Sequence, residues 1–269
     1  MTELVLSLFT GAGLLDRGFE HSGFCVVSAG DRLWGRDVRD FTPPRHAFTG
    51  IIGGPPCQDF SYARRCPPTG YGVEMMGEFV RVVLAAEPLW FLCENVPGAP
   101  DLHVPGYSVQ RFNLNANECR CPQNRLRKIQ FGQRDGLPMV LTRCFTLRIS
   151  EPCAMASEGR RKERRSWEDF VALQGLTRDF DLPGLSRSLK YQLVGNGVPL
   201  QMGIMLAEAI RDRTSSHVLL CACGCARPVR VGKTLAEVSC RKRVQRKRDA
   251  APKNDPISVN PELRFNPML

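Results

Sequence analysis

Short apolar runs alternate with helix-like stretches through the first part of this chain, and that alternation restricts the fold more than any other feature. Leu4-Val5-Leu6-Ser7-Leu8-Phe9 reads as a first strand, Cys25-Val26-Val27-Ser28-Ala29 as a second, residues 47–52 as a later one, and Leu89-Trp90-Phe91-Leu92-Cys93 as another. Continuous apolar runs of this length are the pattern of strands buried on both faces. Between them lie helical stretches over about 14–21 and 74–86; in the latter, Met75, Phe79, Val82, Val83 and Ala86 recur at helical spacing. The β-α alternation predicts an α/β fold with a doubly wound parallel sheet. Residues 107–150 read as more strand-rich and finish the sheet. Helices are expected over 167–173 and 200–211. No internal repeat is visible.

The run at 47–52 ends in Gly53-Gly54-Pro55-Pro56-Cys57-Gln58-Asp59-Phe60-Ser61. Two prolines fix φ and remove two backbone donors, so the turn that carries the thiol is stiff. A sulfur at the carboxyl end of a central strand is placed as a nucleophile would be. A lone cysteine also serves as a small core residue; its neighbours along the chain favour the nucleophile.

The chain has 269 residues, room for one substantial domain and a small appendage. It offers no run of 18 apolar residues and no secretory pattern at its start, so no membrane association is expected. Twelve cysteines without such a signal point to a reducing compartment, with thiols used for chemistry, metal or packing. The net charge of +10 is concentrated: residues 211–248 carry 11 Lys/Arg against 2 Asp/Glu, and residues 1–210 carry 24 against 22. A second basic knot is Arg160-Arg161-Lys162-Glu163-Arg164-Arg165. Two such patches are the electrostatic footprint of a polyanion-binding protein.

Further along, the order of motifs narrows the reading. Phe9-Thr10-Gly11-Ala12-Gly13 is followed by Pro56-Cys57-Gln58, then Glu94-Asn95-Val96, then Gln123-x-Arg125-x-Arg127, then Gly195-Asn196-Gly197-Val198-Pro199. In this order they resemble the cytosine-C5 DNA methyltransferase family, over about residues 4–211. The resemblance implies a class I S-adenosylmethionine-dependent methyltransferase fold and methyl transfer to C5 of a flipped-out cytosine in double-stranded DNA. It implies Cys57 as the thiolate that adds to C6 and Glu94 as the acid at N3. Arg125 is then the arginine at the base and Arg127 the one that orders the site. For the cofactor it implies Phe9 beside the adenine, Gly11 and Gly13 near the methionine part, and Asp31 on the ribose. Asp37 is placed at the adenine edge, with Asp40 as its alternative, and Pro56 and Asn196 also face the cofactor. The stretch from Asp31 to Asp37 is short for the family, as if a helix were trimmed. The loop after Cys57, with Tyr62, Arg64, Arg65, Thr69, Gly70, Tyr71 and Gly72, is expected to close over the base. The resemblance further implies a monomer in the cytoplasm of a bacterial or phage-infected cell, with a restriction nuclease as possible companion. A tRNA cytosine methyltransferase and a retired DNA-binding accessory protein are the rival readings.

Two departures stand out. The target-recognition segment of the family is reduced here to about residues 128–166, within a catalytic domain spanning 1–213. A basic Cys-rich module follows over 214–248, then a tail over 249–269 expected to be disordered. In the module, Cys221, Cys223, Cys225 and Cys240 offer four thiols for a tetrahedral zinc site, and a set of unligated thiols on a basic tail is the alternative. Cys119-x-Cys121 is read as incidental, and Cys66, Cys144 and Cys153 have no partner pattern.

Overall fold

The computed structural model describes residues 2–62, 64, 66–144, 151–213, 221–225, 229, 234, 235 and 238–249. The 249–269 tail lies almost wholly outside the described residues. The elements run β1 (Leu4–Leu8), α1 (Leu14–His21), β2 (Cys25–Ala29), β3 (Gly50–Gly53), α2 (Tyr71–Ala86), β4 (Trp90–Asn95), β5 (Ser108–Asn115), β6 (Gln123–Asn124), β7 (Leu126–Gln133), β8 (Glu151–Pro152), α3 (Trp167–Leu173), α4 (Arg187–Asn196), α5 (Leu200–Arg211) and α6 (Val238–Asp249). The main sheet has the order β2-β1-β3-β4-β7-β5, and β6 pairs with β8 in a small second sheet. Strands β2, β1, β3 and β4 are parallel, and β7 is antiparallel to both β4 and β5. The sheet is therefore mixed where a parallel one was expected, and among the described residues it has six strands.

Alternation along β4 feeds two cores. Trp90 and Leu92 point to one face with Phe19, Phe24, Phe131, Met202 and Leu206. Phe91 and Cys93 point to the other, with Leu6, Ile51, Phe79 and Val83. Each of these large side chains, once buried, stabilises the fold by roughly 1.5–3 kcal/mol before the entropy cost. On the first face α1 crosses α5 closely. A Cβ on Gly18 would stand 2.6 Å from the backbone carbon of Gly203, so only hydrogen fits there.

Several local expectations shift. β3 starts at Gly50 rather than residue 47, because the ladder with β1 begins at Val5↔Gly50. Helix α2 starts at Tyr71, three residues early, because the Asp59 carboxylate accepts from Gly72 N at 2.9 Å. Tyr71 and Gly72 thus belong to a helix and not to the loop. Gly195 and Asn196 are the last residues of a helix, α4, rather than a turn; Gly197 follows with φ −64°. Within the stretch Arg187–Arg211 one 18-residue window reaches a mean hydropathy of 1.3, as apolar as a membrane span, and half of that window is buried in the fold. The stretch consists of α4 and α5 with Gly197–Pro199 between them, and α5 packs in the core.

Candidate active site

The chain switches direction between β1 and β3: β2 lies to one side of β1, and β3 and β4 to the other. In open α/β sheets a crevice opens at this point, outside the carboxyl ends of the strands. Here it is a cavity of about 240 Å³. The turn after β1, the start of the segment after β2, the Pro-Pro turn after β3 and the end of β4 all line it. Because β7 runs the other way, its first residues, including Arg127, reach the same edge.

Cys57 and Glu94 come from neighbouring parallel strands whose register sets Gly53 opposite Cys93. Each lies just beyond this pair and lines the cavity. Cys57 is half-buried, with φ −100° and ψ 0°, in the sparsely occupied bridge region where active-site residues recur. Its turn is pinned from β4: Asn95 Nδ2 donates to Pro55 O at 3.0 Å. Burial pushes the Cys57 thiol up, and Glu94 adds to this; Arg127 and Arg125 pull it down. The Glu94 carboxyl is also raised, chiefly by burial, against the lowering influence of Arg127 and then Arg125. Arg127 Nε donates to Glu94 Oε1 at 2.8 Å. Gly54 leaves room for this acid, since a Cβ there would lie 3.2 Å from Glu94 Oε2.

Of the two arginines expected at the site, Arg127 lines the cavity and Arg125 does not. Arg125 precedes β7 and is almost fully buried. It donates to Ala154 O at 3.0 Å, Gly195 O at 2.8 Å and Gly197 O at 3.0 Å. It therefore ties the 151–155 segment and the end of α4 to the sheet, and Arg127 is the arginine in the cavity. Gln123 extends the same tie, with Nε2 donating to Leu173 O at 2.8 Å and Gln174 Oε1 at 2.9 Å.

The same cavity is lined by Phe9, Gly11, Asp31, Asp37, Pro56 and Asn196; Asp40 does not line it. Phe9 holds φ +56°, a strained value for a residue with a side chain. Gly11 also has positive φ, and a Cβ there would meet nothing within 4 Å, so the backbone is open to a ligand. Asp31 Oδ2 accepts from Gly11 N at 2.7 Å and its Oδ1 from Leu33 N at 2.8 Å, which fixes the carboxylate at the end of β2. Arg39 beside Asp37 holds that carboxyl down at about 2. Gly13 caps α1 with φ +71° and lines the adjoining groove rather than the main cavity. Between β2 and β3 only two 3-10 turns, Arg32–Trp34 and Val38–Asp40, are formed. A glycine-opened turn, an aromatic ring and two fixed carboxylates fit S-adenosylmethionine, which presents an adenine, two ribose hydroxyls and an ammonium group.

Two contributors were not foreseen. Asp59 is buried behind the Cys57 turn and accepts from Thr69 N and Gly72 N, both at 2.9 Å, tying the loop to the start of α2. Asp16, on α1, accepts from Ser7 Oγ at 2.6 Å and Ser28 Oγ at 3.0 Å, binding α1 to β1 and β2. Within the loop Tyr62 is exposed and Arg64 donates to Asp59 O, while Arg65 lies outside the described residues. Cys119 and Cys121 are packing residues of the first core.

Comparison with known proteins accords with this geometry. The profile of the family C-5 cytosine-specific DNA methylase matches residues 35–166. Type II methyltransferase M.HgiGI of Herpetosiphon aurantiacus is 33% identical over 115 residues, which cover 35% of this chain and 90% of that protein. The chain belongs to the cytosine-C5 DNA methylase family. Another member, type II methyltransferase M.HgiDI of the same organism, is 32% identical over 177 residues, 54% of this chain and 57% of that protein. The chain spans about half the length of the curated relatives it matches over the longest stretches. Among solved structures, the Entamoeba histolytica methyltransferase EhMeth superposes with a TM-score of 0.60 at 12% identity, covering 79% of this chain and 98% of that one. That likeness is one of fold.

Proposed function

We propose that this protein transfers a methyl group from S-adenosylmethionine to C5 of cytosine in DNA. The observation that carries the reading is that Cys57, from the turn after β3, Glu94 of β4 and Arg127 of β7 line one cavity, with Arg127 paired to Glu94. Cytosine C5 is a poor nucleophile until the aromaticity of the ring is broken. A Cys57 thiolate adding to C6 breaks it, and a proton or strong hydrogen bond from Glu94 at N3 takes up the charge. The raised affinity of Glu94 for its proton suits that role at neutral pH. Arg127 and Arg125 supply positive potential for the thiolate against the cost of burial. The cofactor supplies an electrophilic sulfonium methyl. Once C5 carries that methyl, loss of the C5 proton and of the C6–S bond restores the aromatic ring and frees Cys57. None of these atoms is reachable in a stacked duplex, so the base leaves the helix before reaction.

Tritiated methyl transfer to duplex DNA tests the activity, with tRNA as the competing substrate. Cys57→Ala is expected to abolish turnover and leave DNA affinity within a few-fold. A duplex with 5-fluorocytosine is expected to trap the wild-type protein covalently and the variant not at all. Methylation that persists in Cys57→Ala would refute the nucleophile.

A further inference from the structure

Four cysteines lie far from the cavity. The sulfurs of Cys221, Cys223, Cys225 and Cys240 all fall within 4.8 Å of one another, and all four residues are buried. None is in a disulfide, and Cys221 Sγ and Cys223 Sγ are 3.5 Å apart, far beyond the about 2.05 Å of an S–S bond. Four thiolates around one zinc ion, each at about 2.3 Å and tetrahedral, stand about 3.8 Å from each other. The observed spacing brackets that value.

The surroundings match a metal cage better than a small apolar core. Among the described residues, Val229, Leu235 and Val244 are the apolar side chains packed against the thiols. The turn that carries three of the ligands is closed by Gly224 N donating to Cys221 O at 3.0 Å, with Gly224 at φ +79°. Arg243 Nη1 donates to Cys223 Sγ at 3.6 Å, the kind of outer contact that offsets the charge of a tetrathiolate site. The cage is also bolted to the catalytic body. Arg143 Nη2 donates to Cys225 O at 2.8 Å, and its Nη1 donates to the Glu118 carboxylate at 2.8 Å and 2.9 Å.

We infer that Cys221, Cys223, Cys225 and Cys240 bind one zinc ion, and that this ion fixes the basic helix α6 to the catalytic body through Arg143. Cys240 lies in the first turn of α6, so closing the cage sets the direction in which Arg241, Lys242 and Arg246 leave the surface. All three are exposed. On the proposed DNA reading, these residues contact phosphates and contribute to the salt dependence of binding.

The metal test does not depend on that reading. The full chain, purified reduced and without chelator, is expected to hold about one equivalent of zinc, released by a thiol-blocking mercurial. Cobalt reconstitution is expected to give the charge-transfer and d–d bands of a tetrahedral thiolate site. Cys223→Ser and Cys240→Ser are expected to lose the metal, and Cys25→Ser, exposed on β2, to keep it. Metal removal is expected to raise amide exchange over 221–249 and leave β1, β3 and β4 protected, which separates a broken cage from a failed fold. A folded protein with less than about a tenth of an equivalent after zinc supply, or full metal content in both ligand variants, would overturn the site. A salt slope of DNA affinity unchanged by metal removal would overturn the assignment of α6 to DNA, whatever the methyl-transfer assay gives.

Discussion

The Nε of Arg127 lies 2.8 Å from Oε1 of Glu94, across the antiparallel junction of β7 with β4. The pair joins two opposed demands. Burial drives Glu94 toward its neutral form, and Arg127 draws it back toward the carboxylate. Glu94 in turn raises the Cys57 thiol that it sits beside. The protons of Cys57 and Glu94 are therefore linked.

The pH dependence of kcat/KM follows. On the proposed mechanism the productive form has Cys57 ionised and Glu94 protonated. The wild-type profile is therefore expected to be bell-shaped, falling on the acid side as the pair gains a second proton and on the alkaline side as it loses its last. Glu94→Gln keeps a donor at N3 but has no proton to lose. Its profile is expected to lie lower by about 10²-fold or more, and to rise with pH to a plateau without an alkaline fall. The acid limb of the variant then reports Cys57 alone, without the raising influence of Glu94. An alkaline fall that survives in Glu94→Gln would show that the acid is another group.

Arg125 is a structural tie, and its loss is expected to appear in stability. Arg125→Met fills the space but leaves the carbonyls of Ala154 and Gly195 without this donor, while Gly197 O keeps Gln174 Nε2 at 3.4 Å. Unsatisfied buried acceptors cost about 1–3 kcal/mol each, so a loss of roughly 2 kcal/mol or more is expected, seen as a lower urea midpoint with an unchanged slope. A variant of wild-type stability would show that these contacts contribute nothing net.

Strands β1, β3 and β4 were legible because parallel strands buried on both faces read as unbroken apolar runs, and Trp90 to Cys93 is such a run; β2 carries a similar run although, at the sheet edge, it is largely exposed. Helix α4 was not. It ends in Gly195 and Asn196, which imitate a turn, and it is held by contacts distant in sequence: Gly159 sits against Tyr191, and Gln174 Nε2 donates to Val194 O. The N-cap at Ser186, which accepts from Leu189 N, was the one local sign of it. Cys57, Glu94 and Asp31 could be placed because each ends a strand. Arg125 could not, because a two-residue spacing puts it on the face of Arg127 only if both lie in the strand, and β7 begins at Leu126. Asp59 escaped because its partners, Thr69 and Gly72, lie across a loop.

Asp59 makes a prediction about that loop. Its two oxygens hold Thr69 N and Gly72 N and so fix where the loop after Cys57 rejoins α2. Asp59→Ala is expected to speed amide exchange at residues 66–74 and lower kcat/KM, with exchange in β3 and β4 unchanged. An unaltered exchange pattern would mean that the glycines and Phe60 suffice to hold the junction.

The segment between Gln133 and Trp167 bears on sequence specificity. Much of it is committed to the catalytic body. Met139 N donates to Gln110 Oε1 at 2.8 Å, seating this stretch along β5, and Ala154 and Gly159 pack beneath α4. Arg165 is engaged by Glu158. Outward among the described residues are Arg160, Arg161, Lys162 and Arg164, a set suited to phosphates, with Arg134, Thr142, Glu151, Ser157, Glu163 and Ser166 beside them. Each base pair read by a bidentate side chain contributes about 1–3 kcal/mol of discrimination, and among the described residues this short, mostly basic set is what could supply it. Bisulfite sequencing of DNA from a host that expresses the protein is expected to find methylated cytosines in many sequence contexts. One long shared motif at every methylated site would mean that base reading resides elsewhere in the chain.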